Sequence, residues 1–174
     1  MGTLPPAGRF QLREDMSMEP AKSPFPQKDR FPLFCDIRGK KALVVGGGGV
    51  AARRCRTLCR FSFEILAVAP RLDPSILALE EQGLLKTLRR PFEPRDLKGA
   101  FLAVAATDDR EINRQVGRLA RQAGCFVSVA DRAEECTFFF PALVETETLT
   151  IGVAGDGRDH AAVARAAGQI REVI

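Results

Sequence analysis

Val44-Val45-Gly46-Gly47-Gly48-Gly49-Val50-Ala51 is the stretch on which the fold of this chain turns. It closes a short apolar run, Lys41 to Val45 (KALVV), too short for a helix and followed by glycines, which fits a buried strand. It opens a segment of good helix formers, Val50 to Arg60. Within it stands G-x-G-x-x-A as Gly46, Gly48 and Ala51. In such a motif the first glycine makes the tight turn and the second removes the Cβ that would block a diphosphate. The small third residue lets helix and strand approach closely. The unpaired N–H groups and partial positive charge at the helix start then suit phosphate. Between a strand and a helix the motif points to dinucleotide binding; the alternative is a glycine turn needed only for packing.

The pattern continues outward from this loop. Phe63 to Val68 reads as a second strand closed by Ala69-Pro70, and Asp73-Pro74 as a helix start with Asp as N-cap. That helix carries Ile76, Leu77 and Leu79 and stops at Gly83; Leu84 to Leu88 and Phe101 to Ala105 follow as strands. Asp108-x-x-Glu111 resembles a capping box, and Ile112, Val116, Leu119, Ala120 and Ala123 share one helical face before Gly124. Phe126 to Val129 is a fifth strand. This alternation predicts an α/β fold with a doubly wound parallel sheet covered on both faces. Past Asp131 the rhythm breaks. Thr137 to Val144 and Leu149 to Val153 are β-like and predict an antiparallel hairpin, and Gly155-Asp156-Gly157 leads into an alanine-rich helix. Upstream, residues 1–31 are rich in proline and mixed charge and read as a mobile leader, with Phe31, Leu33 and Phe34 as an apolar clip onto the body. The expected organisation is therefore a leader (1–31), a dinucleotide-binding domain (32–136) and a small β-hairpin and helical region (137–174).

Composition narrows the function classes. A chain of 174 residues with 45% hydrophobic content is long enough for one packed domain without disulfides. No apolar stretch reaches the ~18 residues of a membrane span. A formal net charge of +4 favours anionic partners but is no polybasic surface. With one His and neither Trp nor Tyr, histidine-rich metal sites and Trp/Tyr stacking platforms for nucleic acid are excluded. Cys35, Cys55, Cys59, Cys125 and Cys136 are odd in number and lack CxxC spacing, and no secretory signal precedes them. Reduced cytoplasmic thiols follow, with Cys55 and Cys59 read as small buried apolar residues.

Three further places carry chemistry. An acidic residue that would read the ribose hydroxyls is missing after the second strand, where the chain has Val68-Ala69-Pro70-Arg71. Arg71 there attracts a 2′-phosphate or is solvated, while the backbone around Pro70 lines an adenosine pocket. Ala105-Ala106-Thr107-Asp108-Asp109 faces the nicotinamide side of the crevice, where small residues such as Ala106 and Thr107 admit a flat ring; Thr107 and Asp108 equally suit helix caps. Asp131 lies just past the fifth strand on the same rim, positioned to remove a proton, or, in Asp131-Arg132-Ala133-Glu134, as another cap. Arginines crowd the first helix (Arg53, Arg54, Arg56, Arg60) and recur at Arg89, Arg90 and Arg95, which suits a polycarboxylate beside the site.

Taken together, Phe31 to Lys40 (FPLFCDIRGK), KALVVGGGGVAARR, Val68 to Pro70, Ala105 to Asp109, Val127 to Asp131, Cys136 to Val144 and Leu149 to Gly157 resemble the precorrin-2 dehydrogenases of sirohaem biosynthesis, the N-terminal module of sirohaem synthase. The resemblance implies a Rossmann-like domain that oxidises precorrin-2 to sirohydrochlorin with NAD, in some members with Fe²⁺ insertion at the same site. It implies dinucleotide contacts from Gly48, Gly49, Val50, Pro70 and Arg71, to which the motif adds Gly46, and it matches the family's essential aspartate to Asp131. It also implies a homodimer interlocked through the region after the sheet. Gly155 to His160 departs from the family's Ser/Thr-rich loop, and the helical tail of bifunctional members is expected to be truncated at Ile174. His160 reads as a surface residue rather than a metal ligand. Two alternatives stay open: a non-catalytic dinucleotide- or tetrapyrrole-binding module that docks onto another enzyme of the pathway, and an unrelated NADP reductase.

Overall fold

A computed structural model describes residues 28–174, so most of the leader assigned to 1–31 lies outside the described residues. Five parallel strands form one sheet: β1 (Lys41–Val45), β2 (Glu64–Val68), β3 (Lys86–Leu88), β4 (Ala100–Ala105) and β5 (Phe126–Val129), in the order β3-β2-β1-β4-β5. Order reverses at β1, which pairs with β2 on one side and β4 on the other, so the crevice at its carboxyl end is the topological switch point. Helices α1 (Gly49–Leu58) and α2 (Pro74–Glu81) cover one face and α3 (Arg110–Gln122) the other.

The alternation along each strand fills both faces. Ala42, Val44, Ile65, Ala67, Leu102 and Val104 pack with Ala51, Cys55 and Ile76. Leu43, Val45, Val68, Ala103, Ala105 and Val127 pack with Val116 and Ala120. A sheet apolar on both sides explains why its strands read as continuous runs. The caps follow the expected chemistry at α2, where the Asp73 carboxylate accepts from the Ser75 N–H at 2.9 Å.

Beyond the sheet, β6 (Ala142–Glu145) and β7 (Thr150–Val153) pair antiparallel, and α4 (His160–Val173) follows, its start capped by Asp159. The first of these strands begins later than the pattern predicts. Thr137 and Phe138 instead bond across the outer edge of β5: the Thr137 N–H donates to the Val127 carbonyl at 2.8 Å, and the Thr137 hydroxyl accepts from the Val127 N–H at 2.8 Å. Pro141, without an N–H, then separates this edge contact from β6. The third strand is likewise shorter than predicted, starting at Lys86. The apolar clip is corrected too: Phe31, Leu33 and Phe34 are 86%, 64% and 74% exposed. Between Pro32 and Ile37 the chain has no regular structure to dock them.

Candidate functional site

The site is built where β1, β4 and β5 end side by side. Gly46 leaves β1 with φ +130°, a conformation essentially closed to other residues, and its N–H donates to the Val68 carbonyl at 3.0 Å. Any Cβ there would drive into the Ala106 carbonyl, so the turn lies flat against the loop after β4. Gly47 is as crowded from the other side, since a Cβ would meet the Arg71 carbonyl oxygen, with its carbon at 2.9 Å. Its own carbonyl accepts from the Asp73 N–H at 2.7 Å, tying the glycine loop to the segment after β2. Gly48 and Gly49 differ in kind: a Cβ on either would find nothing within 4 Å. These two glycines are exposed and face open space at the start of α1, as does Val50.

That open space fits a dinucleotide diphosphate. Gly48 is the N-cap and has no side chain to fill it, no acid stands in the first turn, and the first intrahelical bond is Ala52 N–H to the Gly48 carbonyl at 2.9 Å. The N–H groups of Gly49, Val50 and Ala51 therefore lack intrahelical acceptors and sit at the positive end of the helix dipole. Pro70 and Arg71 are exposed beside the loop, and the Arg71 guanidinium has no hydrogen-bond or ion-pair partner among the described residues. The nearest following acid, Asp73, has its Oδ1 engaged by Ser75 as the α2 cap.

The loop after β4 is held by a residue the sequence did not single out. Asn113 is fully buried on α3. Its Oδ1 accepts from the Thr107 N–H at 3.0 Å and from the Thr107 hydroxyl at 2.8 Å, and its Nδ2 donates to the Thr107 carbonyl at 3.0 Å. This amide clamp fixes Ala106 and Thr107 beside Gly46. The cap of α3 is Asp109 rather than Asp108: its carboxylate accepts from the N–H groups of Glu111 at 2.8 Å and Ile112 at 3.2 Å. Two adjacent aspartates made the register ambiguous. The signal that could have found Asn113 is its helical spacing, three positions before Val116 and seven before Ala120 on the buried face of α3.

Asp131 stands on the same rim. The N–H of its neighbour Ala130 donates to the Ala105 carbonyl at 2.9 Å, which links the β5 end to the loop clamped by Asn113. Asp131 does not cap the short 3-10 turn Ala133–Glu135; Arg132 occupies that position, without a side-chain bond. Its Oδ1 instead lies 3.7 Å from Nη1 of Arg110, whose other nitrogen hydrogen-bonds Glu135. The Glu135 bond, followed by the charges of Glu135 and Asp131, raises the Arg110 pKa above its ordinary value. Arg121 donates to the Glu135 carbonyl at 2.6 Å, and Gly117 leaves room for the carboxylate against α3.

Most of the basic residues are engaged elsewhere. Arg60 pairs with Glu145, Arg89 with Glu80 and Arg95 with Glu93. Arg90 grips buried Asp96 through bonds of 2.6 and 2.9 Å, toward the amino ends of the strands and away from the crevice, where Lys41 also donates to the Asp96 carbonyl at 2.8 Å. Arg56 donates to Ser75 at 3.2 Å. Arg54 differs, sitting over Phe140 with its guanidinium carbon 4.1 Å from the ring centroid. Burial raises the Cys55 thiol to about 12, fitting its place in the core. His160 is exposed at the start of α4. No helix among the described residues is long and apolar enough to cross a membrane.

Comparison with known proteins agrees with this geometry. Residues 33–142 match the family described as "Putative NAD(P)-binding". The "Probable multifunctional siroheme biosynthesis protein HemA" of Ruminiclostridium josui is 43% identical over 145 residues, covering 83% of this chain and 28% of the relative. "Siroheme synthase 1" of Aeromonas salmonicida (strain A449) is 38% identical over 130 residues, covering 75% and 28%. The chain thus spans a little over a quarter of the length of these curated relatives. Among solved structures, "SirC, precorrin-2 dehydrogenase" superposes with a TM-score of 0.71 at 25% identity, covering 83% of this chain and 71% of that one.

Proposed function

The chain belongs to this NAD(P)-binding family, and from that premise we propose that it oxidises precorrin-2 to sirohydrochlorin, with Asp131 as the proton acceptor. When bound, NAD⁺ supplies a hydride acceptor, so loss of two hydrogens from the macrocycle yields sirohydrochlorin, NADH and one proton. The glycine loop and the amides of Gly49, Val50 and Ala51 hold the diphosphate. Pro70 and Arg71 border the adenosine end, and Ala106 and Thr107 give the flat nicotinamide a close wall. Asp131 takes the departing proton, and Arg110 faces its carboxylate from α3. Bringing two flat rings into register supplies much of the rate. Residues 32–136 form the dinucleotide domain, and β6, β7 and α4, with Leu149, Val173 and Ile174 exposed, form the contact of a cytoplasmic homodimer.

One observation carries this reading: the backbone beside Asp131 is hydrogen-bonded to Ala105, one residue from the Ala106 carbonyl that abuts Gly46. Purified protein with NAD⁺ and precorrin-2 is expected to give sirohydrochlorin absorbance and NADH together. Asp131→Asn is expected to lower kcat about a hundredfold or more while dinucleotide affinity holds. Full turnover by that variant refutes the role of Asp131, and NAD⁺ binding without turnover by the native chain favours a non-catalytic module. A parallel arm with Fe²⁺ as second substrate reports metal insertion.

A further inference from the structure

The arginines on α1 are not equivalent, and the difference singles out one residue. Arg56 bonds Ser75 and Arg60 pairs with Glu145, while Arg53 is exposed to water. Arg54 is half-buried, sits over the Phe140 ring with its guanidinium carbon 4.1 Å from the centroid, and has neither a carboxylate nor a carbonyl partner among the described residues. Burial, followed by the neighbouring charge of Arg53, lowers its pKa below the ordinary arginine value. A cation stripped of part of its water and given no anion is in deficit, and an arriving carboxylate relieves it.

Its surroundings point to which anion. Phe140 belongs to the Phe138–Phe140 segment that packs on the α1 face of the sheet, the two rings 4.8 Å apart. Cys136, which starts that approach, bonds through its sulfur to the backbone of Val129 and Arg132, the turn that carries Asp131. Arg54 thus sits on the aromatic segment that follows the Asp131 turn in the chain. Five residues into α1, it lies roughly 7 Å along the axis from the diphosphate cradle.

We propose that the Arg54 guanidinium, braced on Phe140, is the anchor for a carboxylate of the polyanionic macrocycle, leaving the diphosphate to the glycine loop. This rests on the function proposed above. A guanidinium held over an aromatic ring by its charge keeps its N–H groups for the fork that a carboxylate matches.

The test compares native chain, Arg54→Met, Arg54→Lys and Phe140→Leu in two assays: turnover of precorrin-2 with NAD⁺, and fluorescence-monitored binding of uroporphyrin, a porphyrin octaacid that is not oxidised. Arg54→Met is expected to raise the precorrin-2 KM and the uroporphyrin Kd roughly tenfold or more, with the NAD⁺ Kd unmoved. Arg54→Lys keeps the charge without the fork and falls between, and Phe140→Leu loosens the brace and gives a smaller rise. Unchanged macrocycle constants in Arg54→Met, or a rise confined to the NAD⁺ Kd, overturn the anchor. A native chain that leaves precorrin-2 unoxidised, while Arg54→Met still weakens uroporphyrin binding, refutes the dehydrogenase and upholds the anchor. Arg54→Lys and Phe140→Leu decide the matter if the methionine variant fails to fold.

Discussion

Adding one methyl group at Gly47 or at Gly48 separates what the glycine loop does for the fold from what it does for the ligand. At Gly47 the new Cβ would collide with the Arg71 carbonyl oxygen and stand 2.9 Å from its carbon and 3.0 Å from the Ala69 Cβ. Both partners are anchored, because Ala69 bonds Leu88 and the Gly47 carbonyl is held by Asp73. Relief requires backbone movement, at about 1–3 kcal/mol or more. At roughly 2–4 °C per kcal/mol for a chain of this size, Gly47→Ala should melt about 2–12 °C lower. At Gly48 a Cβ meets nothing within 4 Å, and φ −87° with ψ −173° is open to any residue. Only the weaker N-cap preference of alanine counts against it, under about 1 kcal/mol, so the melting temperature should move by no more than about 4 °C. The same methyl occupies the space in front of the α1 amides, and the NAD⁺ Kd should rise at least about tenfold, or ~1.4 kcal/mol. Thermal melts and calorimetric titration with NAD⁺ measure both. Native NAD⁺ affinity in Gly48→Ala would refute the cradle; a native melting temperature in Gly47→Ala would refute the steric argument.

Two other perturbations address the scaffold. Asn113→Ala removes all three bonds to Thr107 from a fully buried site, and should cost about 2–4 kcal/mol and weaken NAD⁺ binding together; a calorimetric scan and titration check both, and unchanged affinity would show that the Thr107 loop needs no clamp. At Asp96, burial opposes ionisation but the bonds from Arg90 and the Glu93 N–H prevail, so its pKa lies below the ordinary aspartate value. A depressed carboxyl adds stability above its unfolded pKa, and that contribution is lost as pH falls through the folded one. Asp96→Asn should therefore lower stability by about 2–3 kcal/mol at neutral pH and by less below about pH 4, as urea melts across pH would report.

Elements whose cause was local were legible in the sequence. KALVV before four glycines, Asp73-Pro74, and the alternating strands and helices each carry their own instruction, and β1, β5 and the α2 cap lie where that instruction puts them. The proximity of Gly46, Ala106 and Asp131 followed from the rule that parallel strands present their carboxyl ends on one side. What escaped depended on partners that meet only in the folded chain. Arg60 looks like a substrate ligand until Glu145 arrives 85 positions later, and Asn113 looks like one more polar residue until α3 folds its amide onto Thr107. Thr137 has strand-like chemistry but spends it on the flank of β5, a choice visible only once that flank exists.

The central place of β1 has a consequence during synthesis. KALVV leaves the ribosome well before one of its two neighbours, β4, which is encoded almost sixty residues downstream. Until Ala105 has emerged, one whole flank of this apolar ribbon is unpaired, the condition under which nascent chains adhere to each other. Slow translation of the segment between β2 and β4 would lengthen that exposure, and a chaperone that shelters short hydrophobic strands would shorten it.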